Sequence, residues 1–406
     1  MAGRLAMPVL ARILRGMIRQ GALTIVDARG RTHRFGTAAD GWPEVTMRFA
    51  DGRIARAILR DPVMGVGEAW MDGRLMLERG TMLDLLTLVR GNTPWEAGRR
   101  FGRRRALRLD RVNWARRARR NVAHHYDLSD RLYELFLDPD LTYSCAYFRE
   151  PEARLERAQA DKMAHIAAKL ALKPGMRVLD IGCGWGGLAL YLHRVAGVDV
   201  TGITLSERQL AIARARAAAA AVGERVRFEL LDYRAVEGRF DRIVSVGMFE
   251  HVGPPCYRRF FDTCRTLLAE DGVMLLHTIG LFGSPEPTDA WLRKYIFPGG
   301  HLPALSEIVR ASEAARLMVS DVETLRLHYA LTIEHWLARA EAHRAEIEAL
   351  YDTRFFRMWT FYLAGAIAMF RHGELCNYQI QYVGDRRALP ITRDYMAEAE
   401  AGLRGR

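Results

Sequence analysis

The chain reads as an α/β protein: a doubly wound, mainly parallel sheet, preceded by a smaller α+β unit. Three observations carry that reading. An apolar strand over 178–181 runs straight into a glycine-dense turn and then into a helix over 188–195. Further strand and helix signals alternate behind it as far as residue 279, the pattern that builds a parallel sheet covered on both faces. The length of 406 residues, half of them hydrophobic, leaves room for about two domains with a substantial core.

The elements follow in chain order. Residues 1–23 mix Leu5, Val9, Leu10, Ile13, Leu14, Met17 and Ile18 with Arg4, Arg12, Arg15 and Arg19. That basic amphipathic pattern is too interrupted for a secretory leader, and it predicts a helix packed on its own domain. Short strands are expected over 22–27 and 44–49. After the basic segment, a connecting stretch over 121–148 leads to a helix over 154–172 and the first core strand. The series continues with strands at 199–203, 226–231, 240–246 and 272–279, and helices at 206–222 and 257–268. Crossovers between parallel strands should be right-handed. Ligand contacts should then gather at the strand C-termini. A later apolar run, 359–370, has 12 residues, well short of the roughly 20 that cross a bilayer.

The turn after the first core strand suggests its ligand. Gly182, Gly184 and Gly186 are spaced Gly-x-Gly-x-Gly, with Asp180 two residues ahead of the first. The dinucleotide turn is spaced Gly-x-Gly-x-x-Gly and cradles a pyrophosphate. Here the spacing and the carboxylate fit S-adenosylmethionine better, because Asp180 can face an ammonium or sulfonium charge. The following helix offers unpaired N–H groups and the positive end of its dipole.

Charge points to an acidic surface. The formal net charge is +12, and the 22 residues from Arg99 to Arg120 hold eleven arginines against one acid, Asp110. Anionic lipid attracts each nearby cation by about 1 kcal/mol. Trp95, Phe101 and Trp114 punctuate the run, as aromatics do at a lipid interface. No helix-turn-helix, zinc-ligand set or RNA-recognition signature accompanies the charge, so anionic membrane phospholipids are the expected partner and nucleic acid is not. Cys145, Cys183, Cys256, Cys264 and Cys376 show neither metal spacing nor a disulfide framework. His124-His125 lacks carboxylate or cysteine partners at zinc-like spacing. A cytoplasmic protein, peripherally associated with the inner face of the membrane and without a metal, is the expectation.

Several motifs carry a more specific resemblance: His125-Tyr-Asp127, Tyr143-Ser-Cys-Ala-Tyr-Phe148, Leu179-Asp-Ile-Gly-Cys-Gly-Trp-Gly186, Thr204-Leu-Ser206 with Gln209, Phe249-Glu-His-Val-Gly253, His277-Thr-Ile-Gly280 and Tyr295-Ile-Phe-Pro-Gly-Gly300. Together they resemble the cyclopropane-fatty-acyl-phospholipid synthase family, similar in turn to the mycolic acid cyclopropane synthases. The stretch 65–73 resembles that family's N-terminal lipid-binding domain. The resemblance implies a seven-stranded sheet of the class I S-adenosylmethionine-dependent methyltransferase type. It also implies a division into a lipid-binding domain (1–98), an arginine-rich linker (99–120) and a catalytic domain (121–406). A homodimer is compatible with it.

The chemistry implied is transfer of the sulfonium methyl to a cis double bond of a phospholipid acyl chain. A carbocation results, and loss of a proton from the added carbon closes a cyclopropane ring. The site must align two reactants at about 3 to 3.5 Å, exclude water and supply a base. Aromatic faces stabilise such a cation; Tyr143, Tyr147, Phe148, Phe249 and Tyr329 are candidates. The resemblance assigns the base to a bound bicarbonate held by Cys145, Glu250, His277, Ile279 (through its backbone) and Tyr329. Glu250 would share the bicarbonate proton, since two anions otherwise repel. It assigns S-adenosylmethionine to Tyr143, Ser144, Gly182, Gly184, Thr204, Ser206, Gln209, Asp232 and Tyr233, with the last two at the adenine, beside the Asp180 and Gly186 that the spacing of the turn already points to.

The chain departs from methyltransferases at large in ending the second strand with Thr204 where many place an acid. It departs from the family in lacking a cysteine near 365–370. Two other readings remain open from sequence. The same fold could yield a methyl-branched or methylene chain, or the chain could be a lipid- or nucleic-acid-binding protein with a relic core.

Overall fold

A computed structural model of the chain describes residues 6–98 and 128–403. The arginine run, His124-His125 and the motif ending at Asp127 lie outside the described residues.

The described chain forms two compact units. One holds residues up to 98 together with Asp289–Ile296 and Ile333–Glu374; the other holds 128–288, Phe297–Thr332 and 375–403. The first unit therefore recruits two segments that the sequence boundary at 121 assigns to the catalytic domain. The reason is apolar burial. The helix Thr353–His372 carries the apolar run noted above, and it buries Trp359, Phe361, Leu363, Ile367 and Phe370 while packing on the helices Pro62–Met71 and Met82–Gly91. Trp291 seats so tightly over Gly67 that a Cβ there would lie 2.5 Å from its Nε1. Beside it, Glu68 Oε1 accepts from Lys294 Nζ (2.7 Å) and Tyr295 Oη (2.8 Å). Tyr295, part of a family-like motif, is thus a packing residue of this unit.

Four strands, β1 (Gly21–Val26), β2 (Thr32–Thr37), β3 (Glu44–Phe49) and β4 (Leu75–Arg79), form this unit's sheet in the order β2-β1-β3-β4. Local signals fix its helix starts. Asp61 accepts from the Met64 N–H ahead of Pro62, which needs no donor at that position. Thr81 and Asp84 cap each other reciprocally. The N-terminal helix Ala6–Met17 buries Ala6, Met7, Leu10, Ala11 and Leu14 on one face, so packing explains its amphipathic pattern.

The second unit is built on seven strands: β5 (Arg177–Ile181), β6 (Asp199–Thr204), β7 (Val226–Leu230), β8 (Phe240–Val246), β9 (Leu268–Leu281), β10 (Met318–Leu325) and β11 (Leu375–Val383). Their order is β10-β11-β9-β8-β5-β6-β7. The pairs β5–β6, β6–β7, β5–β8 and β8–β9 are parallel, while β11 runs antiparallel to β9 and β10. This is the class I methyltransferase sheet, and its five expected strands lie within a residue or two of their predicted positions except β9, which begins four residues early. Chain order reverses at β5, which lies between β6 and β8. Ligand crevices open beyond the carboxyl ends of strands at such a point. Among the described residues no helix is long and apolar enough to cross a membrane.

Candidate cofactor pocket and base site

The crevice at β5 is a pocket built from strand ends. Gly182, Gly184 and Gly186 all take positive φ (88°, 53° and 85°), which lets the chain turn from β5 into the helix Gly187–Ala196. The N–H groups of Gly182 and Cys183 are anchored on the Ile203 carbonyl of β6, at 2.9 and 3.0 Å. Of the eleven residues expected to hold S-adenosylmethionine, nine line the pocket: Tyr143, Ser144, Asp180, Gly182, Gly184, Thr204, Gln209, Asp232 and Tyr233. The other two act from behind. A Cβ on Gly186 would lie 2.6 Å from the Phe228 ring, so its absence lets the turn close on β7. Ser206 caps the helix Glu207–Ala219 by accepting from the Gln209 N–H (3.3 Å), and Thr204 Oγ1 donates to Gln209 Oε1 (3.0 Å).

Asp180 sets the electrostatics. Its side chain is buried, and Oδ2 has no hydrogen-bond partner. Burial pushes its pKa up to about 7, against the opposing pull of Lys162. A buried carboxylate with one oxygen unpartnered, lining a glycine-rich pocket, is a ready partner for a positively charged ligand. Asp232, by contrast, already holds Arg234 through two hydrogen bonds (2.5 and 2.8 Å), so it is fixed in place at the rim. The residues present fit S-adenosylmethionine: an open glycine turn, a helix start, an orphaned acid and the Tyr233 ring. Among the described residues no cluster of three His, Cys, Asp or Glu is placed to hold a metal ion.

Sequence reasoning passed over Lys162. It lines the pocket from the helix Leu155–Lys169, almost fully buried, and donates to Ser144 Oγ at 2.9 Å. Burial lowers its pKa to about 8, offset by Asp138, Cys145, Asp140 and Asp180. A lysine within a helix carries no signal of its own. Only the fold turns this one inward. His251, which the sequence left ambiguous, also lines the pocket, and burial lowers its pKa to about 4.

None of the residues expected at the base lines the pocket, but Cys145 follows Ser144 and Glu250 precedes His251, both of which do. Glu250 sits in the segment whose neighbours Met248, His251 and Val252 line it. Glu250 Oε1 accepts from the Ile279 N–H at 2.6 Å, which brings two expected members together. Burial raises the Glu250 pKa to about 7, against its own N–H, that of Ile279 and the Thr278 hydroxyl; Oε2 finds no partner. Cys145 is fully buried, burial pushes its thiol pKa up, and its Sγ–H points to the Ala146 carbonyl (3.3 Å). It is therefore a thiol rather than a thiolate. The next residue, Ala146, donates its N–H to Thr332 Oγ1 (3.0 Å), in the helix His328–Ala342 that also carries Tyr329.

His277 stands differently. Its ring is fully buried, and both nitrogens face side-chain amides of β11: Nε2 to Asn377 (2.9 Å) and Nδ1 to Gln379 (3.1 Å). Burial lowers its pKa, so it is a neutral imidazole. Two of the aromatic candidates for cation stabilisation are committed elsewhere. Phe249 belongs to the core, stacked on Tyr257 at 4.3 Å. Tyr147 is stacked on both His165 (4.2 Å) and His328 (4.9 Å). Tyr143 lines the pocket, braced edge-on by Tyr133 and Phe136.

Comparison with known proteins bears on this geometry. The family model for mycolic acid cyclopropane synthetase matches residues 114–380. The cyclopropane-fatty-acyl-phospholipid synthase of Escherichia coli is 38% identical over 352 residues, 86% of this chain and 90% of its own length. A probable fatty acid methyltransferase of Pseudomonas putida is 42% identical over 286 residues, covering 68% of this chain and 73% of its own. Among solved structures, the mycolic acid cyclopropane synthase CmaA1 complexed with SAH and CTAB superposes with a TM-score of 0.62. It is 36% identical and covers 65% of this chain and 97% of its own. The chain therefore belongs to the mycolic acid cyclopropane synthetase family and is an S-adenosylmethionine-dependent enzyme of that class.

Proposed function

We propose that this enzyme adds the methyl carbon of S-adenosylmethionine across a cis double bond of an unsaturated phospholipid acyl chain and closes a cyclopropane ring, with bicarbonate as the proton acceptor. S-adenosylmethionine supplies the electrophilic methyl when bound. Asp180 would hold its positive charge, and the glycine turn and the start of the helix Gly187–Ala196 would help to hold it. Thr204, Gln209, Asp232 and Tyr233 line the remainder of the pocket. Lys162 holds the Ser144 hydroxyl in place at the wall.

The observation that carries the base assignment is Glu250. It is a buried carboxyl with a pKa near 7, tied by one oxygen to the Ile279 N–H and unpartnered at the other. Its free oxygen can share a proton with a bicarbonate hydroxyl, which keeps that anion basic without placing two bare charges together. Cys145, as a thiol, and Tyr329 add donors from one side. Phospholipid as the acceptor is supported by the long alignment with the E. coli synthase, whose 86% coverage of this chain reaches into the N-terminal unit. Contact with an anionic membrane through the arginine run is part of the same proposal.

The deciding experiment incubates purified protein with methyl-labelled S-adenosylmethionine and vesicles of cis-unsaturated phospholipid, then identifies the lipid product by mass spectrometry and proton NMR. Ring protons far upfield of any alkene signal are expected. A methyl-branched or methylene product would replace the proposal by the second enzymatic reading, and no incorporation would reject both.

A further inference from the structure

A row of buried polar side chains crosses the sheet beside the base site. Lys169, 1% exposed, is paired with Glu323, and Glu323 in turn meets His165 Nε2 at 2.6 Å. His165 Nδ1 reaches Glu400 at 3.0 Å. From its other side Lys169 Nζ donates to Gln379 Oε1 at 2.9 Å. An ammonium can only donate. The Gln379 oxygen must therefore face Lys169, and its N–H2 must face His277 Nδ1.

The rest follows by hydrogen-bond polarity. Nδ1 of His277 is an acceptor, so the single hydrogen of the neutral ring lies on Nε2. Nε2–H needs an acceptor, and the group 2.9 Å away is the Asn377 amide. Its Oδ1 must then lie toward the ring, which exchanges the two ends of the amide; side-chain amides are assigned by such networks rather than by their outline. The opposite orientation would place N–H2 against Nε2–H and leave Oδ1 buried without a partner. Once exchanged, the buried end without a partner is an N–H2, a donor awaiting an acceptor.

Asn377 is the register partner of Ile279, whose N–H binds Glu250. We infer that Lys169, through Gln379, fixes His277 with its hydrogen on Nε2, so that Asn377 is held by its oxygen and presents its N–H2 as a further donor to the base-site anion. Lys169, Gln379 and His277 are positioning residues in this arrangement. None of them needs to touch the substrate. The anion's identity rests on the proposed function; the polarity of the row does not.

The test uses full-length protein carrying nitrogen-15 in its histidine rings, with the His277 signals assigned by their loss in His277→Gln. The expected wild-type spectrum shows protonated Nε2 and bare Nδ1. In Gln379→Glu, nearly the same size, the new carboxylate can only accept from the ring, so the hydrogen moves to Nδ1. Turnover should then fall at least about 10-fold, while the KM for S-adenosylmethionine stays within about twofold. Lys169→Met, if it folds, should leave a mixture of the two ring forms.

A wild-type ring with hydrogen on Nδ1 overturns the inference. So does a Gln379→Glu protein that keeps the wild-type ring form, or one that moves the hydrogen without losing turnover. Asn377→Leu separates the inference from the reading it rests on: it should raise the bicarbonate concentration needed for half-maximal rate. An unchanged requirement removes Asn377 from the site. A wild-type rate indifferent to bicarbonate depletion would remove the anion itself, while the spectrum still judges the row.

Discussion

Folding has stripped the Asp180 carboxylate of water, and the pull of Lys162 does not offset that cost. Its pKa is raised from 3.8 to about 7 in the folded chain. The folded state thus holds that proton more tightly than the unfolded chain does. The resulting stabilisation is complete below pH 3.8 and is lost as pH rises through about 7. Asp180→Asn removes the charge and keeps the shape. The ligand-free variant should melt higher than wild type at pH 8, by at most about 4 kcal/mol of stability, and the difference should shrink toward pH 4. Its affinity for S-adenosylmethionine, measured by calorimetry, should fall. A variant no more stable at pH 8 would show that Lys162 already offsets the burial of the acid.

Glu250 and His277 make a paired prediction at the same scale. Glu250→Ala should lower turnover by at least about 100-fold while cofactor binding by calorimetry survives, since a positioned proton acceptor contributes that much. His277→Ala should do likewise through the row it orients. Near-normal rate in either variant would reject the base site. The residue scale also shows where sequence reading stops. The types and positions of Cys145, Glu250, Ile279 and Tyr329 are visible in the motifs. That Cys145 is a thiol, and that Phe249 is core rather than a cation-facing ring, depends on what folds over them.

Among the elements, the turn after β5 was legible because its constraint is local. Three glycines and an acid within seven residues restrict the backbone to few conformations. Those glycines nevertheless do two different jobs, and neighbours decide which. A Cβ on Gly184 meets nothing within 4 Å, and the residue lines the pocket; one on Gly186 meets Phe228 at 2.6 Å and Ala213 at 3.1 Å. Gly186→Ala should therefore destabilise the fold by about 1–3 kcal/mol. Gly184→Ala, facing open space at φ 53°, should cost about 1 kcal/mol of stability but weaken cofactor binding more. Chemical unfolding and calorimetry on the two variants would separate these roles; matching profiles would refute the distinction. The strand β11 shows the converse. Its alternation, Asn377-Tyr-Gln-Ile-Gln-Tyr382, has the period of a strand with a wetted polar face. That face is instead buried against Lys169 and His277.

At the scale of the whole molecule, charge and apolar burial divide the work. The arginine run carries most of the net charge of +12. Replacing several of Arg99 to Arg120 with Ser should weaken binding to anionic vesicles and flatten its dependence on salt, because exposed charges are screened over about 10 Å at 0.1 M. Equal binding before and after would make the run only a connector. The helix that carries the apolar segment 359–370, Thr353–His372, is not apolar enough along its length to cross a membrane. Its actual partner, the N-terminal unit, lies nearly 300 residues away in sequence.

The sequence by itself determined the fold class and the cofactor turn, because both are written in short-range spacing that constrains the backbone locally; the proposed base residues came only from the resemblance of its motifs to a family. Tertiary structure alone decided which segments share a unit, that Lys162 and Lys169 turn inward, and which nitrogen of His277 holds a hydrogen. Those depend on neighbours brought from distant parts of the chain, and burial, which sets protonation and hydrogen-bond polarity, exists only once they have met.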